Sequence, residues 1–600
     1  MDLRLLDSLD LPPRRSPGES LKDITVEPLV LQDFARLSES LPWRLSELSW
    51  QIEGIRQFGS NRVPFVINND GRSSEAAARV LFANLEEDPP QDPFEVLELG
   101  AGCGLFARYF VKAFAALCEA ERRDWSKLLV YIVTDASRRT VEHWAELGVF
   151  QEFGSRVRVG TCDAMRPDTA LALDGTPLRE NPLRCVIANY ALDVLPSSVF
   201  RKTGNGLEEL VIRTNLTKSP ELWRSYTGLQ SDQVRAWARS SDSRAMESLL
   251  PFMSLFELEA AFRPANTELP DSQHVLSGAD DASVIVNHGA FEAIERWLPC
   301  LVPGGFFLLN DYGSVARDNM SAAAIPQQFG DTLACGINFP LLKERFERVG
   351  VHVVAPADDD DRAIHSRLLC KGSLGKTIDV FSTQFSRAAD LWLAHSSLEA
   401  ARLAAAGRNS EALDGFREAL SRAPRDWQLI GRAAEFVGLT LREHKAGVEL
   451  VRSALELNPW YSAWLWNVLG DCLFGLGQNE LAHDAYQEAL KVDPKEARAH
   501  FNLSFTHVER GEPDQALLAI AKAFAADVTG IYRDRLVAKQ AQIIDAISTK
   551  WLGEQQRHAI RQSTLQAAAA TSTADPNQPE CRQESTTAAA STSSSSHPPP

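Results

Sequence analysis

Short apolar runs, each ending at a glycine or a polar residue, alternate with helical patterns through the first part of the chain. Residues 94–107, FEVLELGAGCGLFA, carry the run VLEL to a turn holding Gly100, Gly102 and Gly104, and a helical pattern, LFARYFVKAF, starts at once. That order predicts a buried strand, a tight turn and a helix, the layout of a nucleotide-binding crossover unit. Glycine there reaches backbone angles closed to other residues and lets a ligand approach closely. The pattern returns downstream. Residues 128–137, LLVYIVTDAS, bring a strand to Asp135, and residues 157–163, VRVGTCD, bring a shorter one to Asp163. Residues 183–196, LRCVIANYALDVLP, run the strand CVIAN, ending at Asn189, into a polar and aromatic loop. In a parallel sheet such strand ends open on one edge, where ligands bind.

A carboxylate at the tip of the strand after the glycine turn is placed to accept hydrogen bonds from ribose hydroxyls, which assigns Asp135 that role. The long amphipathic segment at 106–125 explains why it lies so far downstream. Capping of the following helix, before Arg138, is the alternative. Ahead of the turn, residues 65–85 read as a polar turn and an amphipathic helix starting near Ser73, with Glu75 in its first turn. Asn68, Asn69 and Arg72 could meet a ligand carboxylate there. N-N-D-G is also an ordinary turn signal, the reading favoured for two of those three.

Glu98 and the G-A-G-C-G spacing resemble motif I, E-x-G-x-G-x-G, of class I S-adenosylmethionine methyltransferases. Residues 189–200, NYALDVLPSSVF, resemble the segment N-E-F-F-D-A-L-P-x-x-x-F of the MidA-type methyltransferases. That family includes the mitochondrial protein arginine methyltransferase that assists respiratory complex I assembly. Residues 207–214, LEELVIRT, resemble its W-R-E-x-x-V hairpin, and residues 304–313, GGFFLLNDYG, resemble its G-x-x-L-x-I-D-Y-G strand. Residues 330–339, GDTLACGINF, are similar to its G-T-L-x-C-Y segment. The resemblance spans about residues 50–370. Two departures stand out: Tyr190 replaces the family Glu, and the family's histidine-containing and D-I-T segments are not recognisable.

The resemblance implies a Rossmann-like α/β class I methyltransferase domain with a doubly wound, mostly parallel sheet and S-adenosyl-L-methionine as cofactor. The cofactor-binding set is then Glu98, Gly100, Gly102, Gly104, Asp135, Asp163 and Asn189, with Asp163 meeting the adenine amino group. Methyl transfer from a sulfonium needs little acid–base help; the protein aligns nucleophile, methyl carbon and sulfur and removes a proton where the nucleophile carries one. The catalytic candidates on the same edge are Asn189, Asp193, Asp311 and Tyr312, with Tyr190 beside them. Asp193 and Asp311 suit a cationic guanidinium or amine. Asp193 as a helix cap and Asp311 as a brace for a neighbouring loop are the alternatives.

A repeat dominates the second half. Residues 463–494 place Trp466, Leu469, Gly470, Ala482, Tyr486, Ala489 and Pro494 at tetratricopeptide spacing. Pro424, Pro459 and Pro494 follow at steps of thirty-five, each five residues after Ala419, Ala454 or Ala489, and Ala516 and Ala523 extend the pattern. Small residues let paired helices approach, so an all-α solenoid of four helical hairpins is expected from about 393 to 530. Its concave face is a surface for a protein or peptide, or for a second copy of the chain. An array that only packs on the catalytic domain is the alternative.

Composition refines this picture. The formal charge of −18 over 600 residues argues against nucleic acid as a partner and suits a cationic substrate. The nine cysteines are scattered without a C-x-x-C pair and the twelve histidines lack metal-ligand spacing, so no metal is expected. No signal peptide or membrane-length apolar run is legible, which gives a cytoplasmic expectation without a membrane partner. The acidic run 358–361 reads as a solvated loop. The expected organisation is a helical N-terminal extension at 1–49 and a methyltransferase domain at 50–372 with a helical insert at 215–285. Repeats at 393–530, a capping helix at 531–562 and a disordered tail at 563–600 follow. The expected function is methylation of a protein, arginine favoured, recruited by the repeats. Small-molecule methylation, or a repeat scaffold with a non-catalytic cofactor-binding domain, are the alternatives.

Overall fold

The computed structural model describes residues 29–55, 70–204, 206–216, 231–265, 283–316, 326–329, 332–359, 364–372, 374–386, 391–527 and 530–572. The chain begins with β1 (Leu29–Arg36), α1 (Leu41–Glu53) and α2 (Arg72–Glu87). The run of crossover units follows as β2 (Phe94–Leu99), α3 (Leu105–Ala120), β3 (Leu129–Asp135), α4 (Arg138–Glu146), β4 (Val157–Thr161) and β5 (Leu183–Asn189). Next come β6 (Ser198–Thr203), β7 (Gly206–Leu216), β8 (Phe256–Pro264), β9 (Ser283–Val286), α5 (His288–Trp297) and β10 (Leu301–Ser314). The last strands are β11 (Gln327–Phe329), β12 (Thr332–Ala334), β13 (Ile337–Asn338), β14 (His352–Val354) and β15 (Ile364–Cys370), with α6 (Phe339–Arg348) before β14 and α7 (Gly375–Gln384) after β15.

The central sheet runs β14-β15-β10-β5-β2-β3-β4, with β13 against the end of β10. Strands β10, β5, β2, β3 and β4 are mutually parallel, and β15 and β14 are antiparallel additions at one side. Every residue of β2 and β5 is buried, as expected of strands covered on both faces. On one face Phe106, Phe110 and Phe114 of α3 pack with Tyr131 and Val133. On the other, Leu97, Ile132, Val186 and Phe307 pack with Phe291 and Trp297 of α5 and Phe346 of α6. Each such side chain contributes roughly 2 kcal/mol of hydrophobic stabilisation.

A second sheet runs β1-β7-β6-β9, with β8 also paired to β7. It corrects two expectations. The N-terminal extension is not purely helical, because Leu29–Arg36 is a strand on β7. The insert holds helices at Ser231–Ala238 and Ser243–Glu247, but Phe256–Pro264 is a strand. Its sequence FELEAAFRP is rich in helix formers, yet it pairs with β7 from Phe256↔Leu216 to Pro264↔Glu208, and tertiary pairing overrides local propensity.

Four helical hairpins follow as expected: α8 (Leu391–Ala405) with α9 (Asn409–Arg422), α10 (Trp427–Glu435) with α11 (His444–Leu457), α12 (Ala463–Gly475) with α13 (Asn479–Val492), and α14 (Ala497–Glu509) with α15 (Pro513–Ala526). The small residues do the work assigned to them. Ala412, Ala419, Ala454, Ala489, Ala516 and Ala523 are fully buried, and a Cβ on Gly470 would run into the Tyr486 ring. The array also packs on the α/β domain. Trp427, Ile430, Tyr461 and Leu465 share one apolar cluster with Phe106, Trp144 and Phe150. The Tyr109 hydroxyl donates to the Leu457 carbonyl at 3.2 Å, Lys495 pairs with Glu53 at 3.4 Å, and Arg425 pairs with Glu75.

The chain up to Leu536 forms one compact unit and the part from Val537 a second. The last helix, α16 (Arg533–Ser572), continues past the expected cap into the segment expected to be disordered. Among the described residues no helix is long and apolar enough to cross a membrane.

Candidate functional site

The site begins where β2 ends. Gly100, Gly102 and Gly104 all have left-handed backbones, with φ of 60°, 52° and 71°. A Cβ on Gly100 would lie 2.8 Å from the Ala191 methyl, and one on Gly104 would lie 2.6 Å from the Phe150 ring. Both the torsions and the space therefore demand glycine. Asp135, at the tip of the neighbouring strand, staples the turn: its carboxylate accepts from the Gly102 N–H at 3.0 Å and the Ser137 N–H at 2.9 Å. Burial pushes its pKa up to about 6, against the pull of those two donors. The Trp144 indole closes the turn from behind by donating to the Gly102 carbonyl at 3.0 Å.

Glu98 is 1% exposed, in the penultimate position of β2. Its carboxylate accepts from the Tyr131 hydroxyl at 3.0 Å and from Asn189 Nδ2 at 3.3 Å. Burial raises its pKa to about 8 despite both bonds. Beyond Asn189 the network continues to Asn310 and Ser366. Sequence reasoning missed Tyr131, Asn310 and Ser366. The available signal for Asn310 was a polar residue beside Asp311 at the end of the apolar run FFLL.

The loop after β5 carries the acceptor-side candidates. Tyr190 has φ of 51°, a strained conformation for a non-glycine residue. Its N–H donates to the Asn310 carbonyl at 3.0 Å, and its ring stacks on Tyr312 with centroids 5.0 Å apart. Asp311 is 0% exposed and Asp193 4%. Asp311 accepts the N–H groups of Leu192 at 3.1 Å, Asp193 at 3.2 Å and Tyr312 at 2.9 Å, so its carboxylate braces the loop. Asp193 Oδ1 is buried without a hydrogen-bond partner among the described residues. Burial raises both acids, Asp193 to about 7 and Asp311 well above its ordinary value, and the Asp193 charge adds to the second shift. Burial, with the Asp193 charge beside Asp311, disfavours ionisation of both acids at once. Gly313 closes this corner, because a Cβ there would strike the Ile337 carbonyl.

Asp163 is exposed, with one oxygen accepting from the Met165 N–H at 2.9 Å in a local turn. Arg72 pairs with Asp70 beside the start of α2. Asn68 and Asn69 lie outside the described residues. The acidic run is corrected at Asp359, which is 6% exposed rather than solvated. Its carboxylate meets His365 Nδ1 at 3.1 Å and Arg367 Nη1 at 2.7 Å, and the Arg367 guanidinium lies 4.4 Å from the Phe339 ring centre. Charge pairing with β15 outweighs the solvation expected of an acidic loop. Among the described residues no His, Cys, Asp and Glu side chains group as a metal site.

Residues 76–351 match the family described as "Putative S-adenosyl-L-methionine-dependent methyltransferase", and residues 470–511 match the TPR repeat. No curated protein matches. Among solved structures, an uncharacterized ACR, COG1565 superfamily protein from Burkholderia thailandensis is 15% identical, covering 59% of this chain and 90% of its own, with a TM-score of 0.36. Another superfamily member from Burkholderia thailandensis, bound to S-adenosyl-homocysteine, is 14% identical over 57% of this chain and 95% of its own, with a TM-score of 0.35. A thermophilic TPR protein of Thermus thermophilus is 21% identical over 26% of this chain and 90% of its own, with a TM-score of 0.22. The chain thus carries a region of the S-adenosyl-L-methionine-dependent methyltransferase family at 76–351, whose cofactor is S-adenosylmethionine, and a tetratricopeptide repeat at 470–511.

Proposed function

We propose that the protein transfers a methyl group from S-adenosylmethionine to a protein side chain, arginine favoured, and that the repeat array holds the target. The carrying observation is the convergence of Glu98, the glycine turn and Asp135 at one sheet edge, with the Asp193–Asp311 pair at the end of the neighbouring strands. The chain's residues fit the cofactor: a buried acid suits its ammonium, the glycines admit its close approach, and Asp135 retains lone pairs for ribose hydroxyls. In this reading Glu98, Gly100, Gly102, Gly104, Asp135, Asp163 and Asn189 hold the cofactor on a Rossmann-like, doubly wound framework. When bound, S-adenosylmethionine supplies a methyl group already activated on a sulfonium.

The remaining tasks fall to the chain. The strained Tyr190 and its stacked partner Tyr312 wall the acceptor side. Asp193, with an unmet oxygen, receives the acceptor's proton or pairs with its positive charge, and Asp311 positions the loop that presents it. The net negative charge favours a cationic target.

A second reading, methylation of a small molecule, draws on the depth of the acid pair: Asp311 is fully buried and Asp193 nearly so, which suits a slender acceptor. The test is incubation of the full chain with methyl-labelled S-adenosylmethionine, peptides bearing single Arg, Lys or His residues, and a mixture of small metabolites, read by mass spectrometry. Label on arginine supports the first reading. Label on small metabolites alone supports the second, and no transfer to either returns the protein to a scaffold role.

A further inference from the structure

Four hydrogen bonds join five strands of the central sheet into one directed chain. Ser366 Oγ on β15 donates to Asn310 Oδ1 on β10 at 2.7 Å, and Asn310 Nδ2 donates to Asn189 Oδ1 on β5 at 2.8 Å. Asn189 Nδ2 donates to Glu98 Oε1 on β2 at 3.3 Å, and the Tyr131 hydroxyl on β3 donates to Glu98 Oε2 at 3.0 Å. All five side chains are buried. Buried amides are costly unless each end finds a complement; here the Glu98 carboxylate, which only accepts, sets which way the Asn189 amide and then the Asn310 amide face, and the Ser366 hydroxyl satisfies the remaining Asn310 oxygen. A reversed amide would set oxygen against the Asn189 oxygen. Every donor points toward Glu98, and the carboxylate is where the chain ends.

Asn310 does a second task. Its carbonyl accepts the Tyr190 N–H at 3.0 Å, holding the residue whose backbone is strained. One residue of β10 thereby grips the side chain that touches Glu98 and the backbone of the loop leading to Asp193. Its neighbours Phe306, Phe307, Leu308 and Leu309 are fully buried apolar residues, so the amide is not there to reach solvent.

We propose that Asn310 and Ser366 are positioning residues: they aim Asn189 and the Glu98 carboxylate at the cofactor and couple that end of the site to the Tyr190 loop. The inference rests on the methyltransferase reading of the site. Loss of the Ser366 hydroxyl leaves Asn310 Oδ1 buried and unsatisfied and loosens the amide that holds Asn189. With a neutral hydrogen bond worth about 1 kcal/mol, cofactor affinity falls about fivefold. Glu98, short of an oriented donor, also holds its proton to higher pH.

The experiment is calorimetric titration of S-adenosyl-homocysteine into the full chain across neutral and alkaline pH, for wild type, Ser366→Ala and Ser366→Thr, with melting temperatures recorded. The expected result is weaker binding by Ser366→Ala with its pH midpoint moved upward, and recovery of both by Ser366→Thr, which keeps the hydroxyl. If Ser366→Ala does not fold, Asn310→Asp, which keeps the shape but loses the donor, takes its place with the same expectation. Equal affinity and midpoint in a folded variant and in a binding wild type overturn the inference alone. A wild type that does not bind overturns the cofactor reading and the inference with it.

Discussion

The guanidinium of Arg108 lies 4.4 Å from the ring centre of Trp460. Arg108 belongs to the first turn of α3, immediately after the glycine turn, and Trp460 to the connection between α11 and α12 of the array. Arg108 is 8% exposed, lies 5.4 Å from the Phe153 ring centre, pairs with Glu152 and donates to the Val149 carbonyl. The helix that follows the candidate cofactor turn is therefore built into the face that carries the repeats. The array shares an apolar core with the α/β domain rather than hanging from it as a tethered arm.

Replacing Trp460 by Ala removes the cation–π contact and part of the shared apolar surface. The expected cost is about 1–3 kcal/mol of stability. Urea unfolding of the full chain checks it, and a midpoint equal to that of wild type would show the junction to be energetically empty.

Gly100→Ala faces two obstacles, a left-handed φ and a methyl–methyl approach of 2.8 Å to Ala191. A stability loss of about 1–3 kcal/mol is expected, together with loss of cofactor affinity as the turn shifts. Thermal melting and titration with S-adenosyl-homocysteine on the same sample separate the two effects. Unchanged affinity would place the ligand elsewhere.

Burial lifts the pKa values of Glu98 to about 8, Asp193 to about 7 and Asp135 to about 6. Each group binds its proton more tightly in the folded than in the unfolded chain. Its stabilising contribution is complete at low pH, below the ordinary carboxylate values, and is lost as pH rises through the folded value. The ligand-free protein should therefore lose stability between about pH 5 and pH 8, and Glu98→Gln should flatten that slope. Melting curves of both proteins across this range decide the matter; parallel slopes would contradict it.

Asp193→Asn separates function from stability. Removing one acid of a crowded, buried pair relieves repulsion with Asp311, so melting should be unchanged or higher. Methyl transfer should fall by roughly two orders of magnitude or more. A variant that is both unstable and active would make Asp193 a structural residue only.

The strand ends of the central sheet were legible because fully buried parallel strands read as apolar runs and a glycine turn has a strict backbone need. Gly100, Gly102 and Gly104 and the four hairpins of the array stand where their spacing placed them. The strand Phe256–Pro264 was hidden because Glu, Leu and Ala favour helix until β7 offers a pairing edge. Asn310 and Ser366 were hidden for another reason: their meaning lies in neighbours on other strands, and no spacing along one strand records a bond across a sheet. Asp359 was misread likewise, since its partners His365 and Arg367 lie on the strand that follows.

The central claim is that Glu98, the glycine turn and Asp135 form a cofactor site. Calorimetric titration of S-adenosylmethionine into wild type and Asp135→Ala tests it most directly. The account predicts saturable binding to wild type that is abolished in the variant, where both the ribose acceptor and the staple on Gly102 are gone. Absence of binding to a folded wild type, or equal binding by both proteins, would contradict it.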